Sequence, residues 1–433
     1  MLLRFRVTNH KSLRDEQHLV LTPSEQQGDE LPPPGEARAL PVVGIFGPNA
    51  SGKSNVVRAL WDMKERVLRG NHRFPQEPEP VVPLPRWPFR LDAEARASAS
   101  TYVVDLLLDE QRCTYGFSVT DEAVVEEWLY SYSANNQKTV IFHRRGDDIS
   151  EGTVRSVIED VIEFESNALV MEVFADIRPG LIVGDDLGAL NPVLDWFGRD
   201  LSMSSPSMLY SPAVPAPYQL DDDSLRRLSA ILRAADTGIE RVSIKKERIV
   251  SERGEDRVMP RWLFYHYGGD ESDPLQEWEQ SQGIRALLRL AFSVLRVLRG
   301  RGKALVVDEI DVGLHTALSA RLIELFQSPE TNPLNAQLIF TSHDPLLLGV
   351  IRGRVVLEQD QIWFTEKDAG GATELYPYSG YGDDDAGARV KRYLAGRFGA
   401  TPFLDDDLFL AALAERESDE SNDAPDQPRQ DDR

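Results

Sequence analysis

Eight consecutive residues, Gly47-Pro48-Asn49-Ala50-Ser51-Gly52-Lys53-Ser54, place two glycines, a lysine and a hydroxyl at the spacing G-x-x-x-x-G-K-S. Glycines let successive backbone N–H groups curl around a phosphate, and a helix starting at the loop's end turns its positive pole toward the same anion. At this spacing Lys53 reaches the outer phosphates of a nucleoside triphosphate and the Ser54 hydroxyl binds Mg²⁺. Together with Asn55 these residues form the predicted nucleotide-binding stretch. The flanks agree: Pro41 to Phe46 reads as a buried strand, and Asn55 to Leu68 carries Val56, Val57, Leu60, Met63 and Val67 at helical spacing. A glycine turn that ended in Lys-Ser by chance would have no need of that setting.

A second carboxylate-bearing segment fits the first. Lys303-Ala-Leu-Val-Val-Asp308-Glu309 is an apolar strand ending in two acids. Alone it is an ordinary buried strand; beside a phosphate loop, Asp308 becomes the expected partner of Mg²⁺ through water, and Glu309 is placed to orient the attacking water. Two weaker signals follow in order. Ser281-Gln282-Gly283 opens the helical stretch Gly283 to Leu298; read alone, Ser281 is an ordinary helix cap. His343 follows the apolar strand Gln337 to Thr341 in Phe-Thr-Ser-His-Asp-Pro, where it is either a contact for the terminal phosphate or a solvated strand-end histidine.

The elements that must hold these residues are legible in outline. Leu2 to Val7 and His18 to Thr22 read as strands, with a turn at Asn9, His10 and Lys11 between them, and Pro23 to Ala39 as a loop. Tyr102 to Val119 alternates as a hairpin around Asp109-Glu-Gln-Arg, and Glu126 to Tyr132 and Thr139 to Arg144 add two strands. Residues 150–235 carry helical patterns broken by the proline-rich stretch Pro206 to Pro217. Strands resume at Ile239 to Ile249 and Trp262 to Tyr267, and Val355 to Glu358 is predicted to pair with Gln361 to Thr365. The expected fold class is α/β: a P-loop core with an antiparallel β subdomain and an inserted helical region. The predicted organisation is an N-terminal part of the ATPase domain over 1–149, an insertion over 150–235, a C-terminal part over 236–404, and an acidic disordered tail over 405–433.

Bulk properties bound the rest. The chain has 433 residues, enough for a full core, and the net charge of −23 works against an all-over grip on nucleic acid. Arg285, Arg289, Arg296, Arg299, Arg301 and Lys303 nevertheless cluster around the Gly283 to Leu298 helix, as a solvated face or a contact surface for nucleic acid, a partner or the acidic tail. Asp383-Asp-Asp and Asp405-Asp-Asp read as solvated surface. Cys113, the one cysteine, rules out an intrachain disulfide or thiolate cluster. No apolar run reaches the ~18 residues of a membrane span, and the N-terminus has no signal core, so a cytoplasmic protein is expected.

The order phosphate loop, Ser-x-Gly cap, Asp-Glu strand, strand-His resembles the ABC-type ATPase fold of SMC and RecF proteins. Gly47-Pro-Asn-Ala-Ser-Gly-Lys-Ser-Asn, Asp308-Glu-Ile-Asp-Val-Gly-Leu-His and Phe340-Thr-Ser-His-Asp-Pro are most similar to the OLD-like branch of AAA ATPases in bacterial defence systems. Arg392-Tyr-Leu-Ala-Gly-Arg-Phe-Gly-Ala-Thr-Pro further resembles the RloA-like ATPases that accompany a separately encoded RloB-like effector. The resemblance implies ATP and Mg²⁺ as cofactors, Glu309 and His343 as catalytic residues, and a homodimer or higher homo-oligomer closed over nucleotide. It further implies that Ser281, Gly283 and Asp311 act across the dimer interface, and that the partner is an RloB-like or nuclease effector. Nucleic acid remains open as a partner and a membrane is not expected. Three departures stand out: the signature reads Gln280-Ser-Gln-Gly rather than Leu-Ser-Gly-Gly, no lid glutamine is identified although Gln76 lies in a plausible place among prolines, and no C-terminal nuclease is visible. The expected function is an ATP-hydrolysing switch in antiviral or abortive-infection defence. The alternatives are a DNA-binding repair ATPase and a nucleotide-gated scaffold.

Overall fold

The structure is a computed structural model that describes residues 1–28, 31–68, 86–161, 165–177, 185–204, 220–250, 256–381, 385–402 and 404–419. Strands β1 (Leu2–Thr8) and β2 (Gln17–Val20) form a hairpin, and β3 (Val42–Phe46) leads through the glycine loop into α1 (Lys53–Leu68). A short helix, α2 (Ala93–Ala97), precedes β4 (Ser100–Leu108), β5 (Gln111–Val119), β6 (Val124–Tyr132), β7 (Lys138–Arg145) and β8 (Asp148–Glu151). Helices α3 (Arg155–Val161), α4 (Val170–Ile177) and α5 (Asn191–Asp195) follow, then a single π turn into β9 (Leu201–Ser204). Beyond α6 (Asp222–Ala234) come β10 (Ile239–Val250), β11 (Asp256–His266), β12 (Leu275–Gln276) and α7 (Gln282–Leu298). Next are β13 (Ala304–Val307), α8 (Thr316–Gln327), β14 (Gln337–Ser342), the small hairpin β15 (Val350–Ile351) and β16 (Arg354–Val355), and β17 (Ile362–Lys367). The described chain ends with β18 (Thr373–Pro377), α9 (Ala386–Leu394) and α10 (Asp406–Asp419).

Two sheets carry the architecture. One is antiparallel with order β2-β1-β4-β5-β6-β7-β8; the other has order β18-β17-β3-β14-β13-β9 and is parallel apart from β18. Strands β3 and β13 are apolar at nearly every position because both of their faces are covered. Val43, Ile45, Ala304, Val306 and Ile339 point into a core shared with α1 and the antiparallel sheet. Val42, Phe46, Leu305, Val307, Leu338 and Phe340 alternate onto the opposite face, against α7 and α8. Helix α1 presents Val56, Leu60, Met63 and Val67 to the first core, which fixes the direction in which the glycine loop opens. The sheets are also joined by a polar staple. The buried Gln337 amide accepts from Leu2 N (2.6 Å) and donates to the carbonyls of Leu2 (2.9 Å) and Leu40 (3.2 Å).

The insertion is bound to the antiparallel sheet by two buried charges. Glu127 on β6 accepts from Val170 N (2.7 Å), Met171 N (3.2 Å) and the Tyr115 hydroxyl (3.0 Å), so it caps the start of α4. Arg144 on β7, fully buried, donates to the carbonyls of Gly146 and Ala168.

Residues 150–235, expected to be mostly helical, also hold β9, which completes the parallel sheet beside β13. Two expectations are corrected. Val355 to Glu358 does not pair with Gln361 to Thr365. Glu358 and Gln361 form a capping box around a 3₁₀ turn at Gln359–Gln361, and Ile362–Lys367 pairs instead with Thr373–Pro377. The stretch from 405 is not disordered throughout, because Asp405 accepts from Leu408 N (3.0 Å) and opens α10, which runs through good helix formers. Gln76, Pro206 to Pro217, Asp383 and Asp384, and the chain from 420 onward lie outside the described residues. Among the described residues no helix is long and apolar enough to cross a membrane.

Candidate functional site

The glycine loop leaves β3 at Phe46 and re-enters regular structure at Lys53, with φ of +153° at Gly47, +63° at Ala50 and +110° at Gly52. Both glycines are required twice over. Their backbone lies where L-residues rarely go, and a Cβ at Gly47 would sit 2.4 Å from the Thr365 carbonyl oxygen, one at Gly52 2.1 Å from Thr373 Oγ1. The loop therefore rests on β17 and β18. Ser51 Oγ and Thr365 Oγ1 share a hydrogen bond (2.7 Å), and Thr373 Oγ1 donates to Ser51 O (2.8 Å). Ser12, in the turn between β1 and β2, joins the same network through Thr373 Oγ1 (2.7 Å) and Asn55 Nδ2 (2.6 Å).

Lys53 is 3% exposed, and its ammonium donates to the carbonyls of Gly47 (2.7 Å) and Pro48 (2.8 Å). Burial pushes its pKa down to about 8, against the opposing pull of Glu309, Asp311 and Asp308. A buried cation with a ring of carboxylates in front of it and backbone N–H groups around it is built to meet a more strongly charged anion.

The strand end of β13 supplies that ring. Asp308 Oδ1 accepts from Ser54 Oγ (3.0 Å) and from Thr341 Oγ1 (2.7 Å), and Thr341 Oγ1 in turn accepts from Glu309 N (2.7 Å). One threonine hydroxyl thus sets both acids. Glu309 is left-handed, φ +55°, an uncommon conformation for a non-glycine that turns the chain sharply past Asp308. Its carboxylate comes 3.6 Å from His343 Nε2, while His343 Nδ1 lies 3.3 Å from Lys53 Nζ. The Nδ1 lone pair accepts from the lysine, leaving the Nε2 proton on the side of Glu309. The Asp311 carboxylate accepts from His343 N at 3.3–3.4 Å, holding the residue after β14 in place. Strand β9 contributes from outside: Ser204 O accepts from Asp308 N (2.9 Å).

Lys53, Ser54, Asp308, Glu309, Asp311 and His343 are thereby brought together. Ser281 and Gly283 are not joined to them. Ser281 caps α7, its side chain accepting from Ile284 N (3.2 Å). Gly283 packs on the loop that follows Asp311, where a Cβ would meet Gly313 O at 2.7 Å, so its lack of a side chain has a reason within one chain. Sequence reasoning missed Ser12, Thr341, Thr365 and Thr373. Only Thr341 left a trace, as a hydroxyl in an otherwise apolar strand.

Behind α1 lies a buried polar site of a structural kind. His10 is fully buried, its Nδ1 2.9 Å from the Tyr102 hydroxyl and its Nε2 3.8 Å from Asp62, and burial pushes its pKa down to about 3.

Residues 42–349 match the protein family described as "AAA domain, putative AbiEii toxin, Type IV TA system". No curated protein matches the chain. Among solved structures it is similar to the SmcHead bound to the C-winged helix domain of ScpA, at 13% identity over 86% of this chain and 97% of that one, TM-score 0.43. It is also similar to the SMC head domain from Thermotoga maritima (13% identity, 87% and 98% covered, TM-score 0.39). A third is the Pyrococcus furiosus Smc head domain with an extended coiled coil bound to the C-terminal domain of ScpA (12% identity, 86% and 95% covered, TM-score 0.36).

Proposed function

The chain belongs to this AAA-domain family, and from that premise we propose that it is an ATP-hydrolysing switch whose ATPase heads close in pairs over nucleotide and control a separate effector. The observation that carries the reading is the convergence of Lys53, Ser54, Asp308, Glu309 and His343 at the mouth of one phosphate loop. The Ser54 hydroxyl and Asp308 carboxylate, already 3.0 Å apart, form the hard oxygen pair that suits Mg²⁺. When bound, the ion neutralises phosphate charge and orients the terminal phosphoryl group.

The protein's own residues do the rest. The loop amides and the α1 N-terminus hold the phosphates, and Lys53 exchanges its two carbonyl partners for phosphate oxygens. Glu309 positions and deprotonates the attacking water, with His343 beside it to follow the change at the terminal phosphate. Ser281 and Gly283 act on the nucleotide of the second copy, the α7 N-terminus supplying its amides in trans, while the loop of Asp311, whose carboxylate holds His343 N in its own site, crosses the interface. The family's description names a putative toxin of a Type IV toxin–antitoxin system, which fits a place in bacterial defence; a separately encoded effector as the output rests on the resemblance of the stretch Arg392 to Pro402 to RloA-like ATPases. The chain itself cuts no nucleic acid in this reading.

Nucleic acid is the weaker partner. Arg289 pairs with Glu277 (3.2 Å), Lys303 with Asp200 (3.2 Å) and Arg301 with Asp221 (3.5 Å), so much of the basic cluster already faces acid. The test is the mass by light scattering of Glu309→Gln in a chain that also carries Phe409→Asp and Leu410→Asp, two exposed positions outside the site. It should double in Mg-ATP and not in Mg-ADP; a protein that stays monomeric in both contradicts the switch.

A further inference from the structure

Among the described residues, nothing in the chain covers the start of helix α10. Every residue from Leu404 to Ala412 is exposed, and Phe409 shows 65% of its surface beside Leu408 and Leu410. Leu408-Phe-Leu-Ala-Ala-Leu-Ala414 is apolar for seven residues, nearly two turns, so no rotation of the helix hides it from water. A 14-residue helix of this kind is marginal unless it packs on something. Asp405 precedes it, and Asp406 and Asp407 stand in its first turn.

The same chain holds a groove of matching character on the outer side of α6 and α7. Leu228, Phe292 and Leu295 form its floor, and Arg227, Arg296 and Arg299 stand on its rim. It encloses about 190 Å³, and a protein cavity of about 150 Å³ takes a benzene ring. Phe292 and Leu295 are only partly buried although they belong to the second core. The rim is basic in a chain of net charge −23. Asp223 engages both Arg227 and Arg299, which leaves most of the donors of those guanidinium forks for another carboxylate.

We propose that this groove receives α10 of a second copy of the chain, Phe409 and its leucine neighbours on the apolar floor and Asp405 to Asp407 against the arginine rim. Charge complementarity selects this occupant: an apolar helix led in by three acids, and an apolar groove ringed by arginines. Among the described residues neither surface is covered within one chain, so the pair is satisfied between copies. A reciprocal exchange around a two-fold axis makes the contact twice and closes the assembly. This contact needs no nucleotide and is separate from closure of the heads.

The test uses the full-length chain without nucleotide in EDTA, by sedimentation over a range of concentrations. The parent should self-associate. Phe409→Asp/Leu410→Asp on the helix and Arg296→Glu/Arg299→Glu on the rim should each weaken association by about tenfold or more. A mixture of the two variants keeps one intact helix and one intact groove and should form a heterodimer. The helix variant changes solvent-exposed residues only, so it remains readable even where the groove variant folds poorly. A monomeric parent, including one whose α10 lies in its own groove, overturns the proposal. So does an association that the helix variant leaves unchanged, or one that the rim variant leaves unchanged while folded.

Discussion

Replacing Gly52 by alanine should damage the phosphate loop through the strand behind it. The added Cβ would meet Thr373 Oγ1 at 2.1 Å, Cγ2 at 2.7 Å and Cβ at 2.9 Å, and the residue would have to keep φ +110°. Holding a non-glycine there costs about 1–3 kcal/mol. Moving Thr373 away gives up its hydrogen bonds to Ser51 O and Ser12 Oγ, at about 1 kcal/mol each. The total, roughly 3–5 kcal/mol, is about 10²–10³·⁵ in affinity if the loop must return to its present shape to bind phosphate. Calorimetric titration with Mg-ATP reads this directly. Thr373→Ala alone should lose about 30-fold, through the two hydrogen bonds. In the Thr373→Ala background Gly52→Ala should cost about 30-fold less than in the parent, because the 2.1 Å and 2.7 Å contacts are gone and only the backbone strain and the Cβ contact remain. Parental affinity in Gly52→Ala, or strict additivity in the double variant, would refute the claim that the loop leans on β18.

Three further outcomes follow from the same geometry. Thr341→Val removes the hydroxyl that sets Asp308 and Glu309, so turnover should fall by about tenfold or more while ATP affinity changes by only a few-fold; equal loss in both would show that the threonine acts on binding. His10 is buried neutral with its pKa near 3, whereas the unfolded chain takes up that proton near pH 6.5. The unfolded state therefore binds more protons between these values, and stability should drop as pH falls from 6.5 toward 3; melting temperatures of the parent and His10→Gln should converge in acid, and parallel curves would contradict this. Mixing Lys53→Ala with Ser281→Arg should restore ATPase activity above either parent, since the heterodimer keeps one undamaged site if Ser281 acts in trans; heterodimers that form without recovery count against it.

The candidate site residues were legible because their signals are local. Gly47 to Ser54 sits between a buried strand and a helix, and Asp308-Glu309 ends an apolar strand, so spacing and periodicity were enough. The supports were not, because they are contacts across the chain. Thr373 reaches Ser51 over 322 positions and Thr365 reaches it over 314, and neither threonine differs in sequence from any strand hydroxyl. Strand β9 escaped for a related reason: Leu201-Ser-Met-Ser is four residues at the edge of the sheet, and its place is set by pairing with β13 rather than by its own pattern. The mistaken pairing near Val355 shows local chemistry overriding alternation. The Gln327 side chain takes the Val356 carbonyl (3.0 Å) and reaches Gln361 Oε1 (2.9 Å), and the capping box at Glu358 turns the chain before β17 begins.

The central claim, that Glu309 drives hydrolysis at a site assembled by Lys53, Ser54 and Asp308, is tested most directly by phosphate release from the purified chain in Mg-ATP, with binding measured in parallel. The parent should release phosphate steadily. Glu309→Gln should bind ATP within a few-fold of the parent and release phosphate at least about 100-fold more slowly, because an amide cannot take a proton from water. A Glu309→Gln protein that hydrolyses at the parental rate, or a parent that binds Mg-ATP and releases no phosphate, would contradict the account.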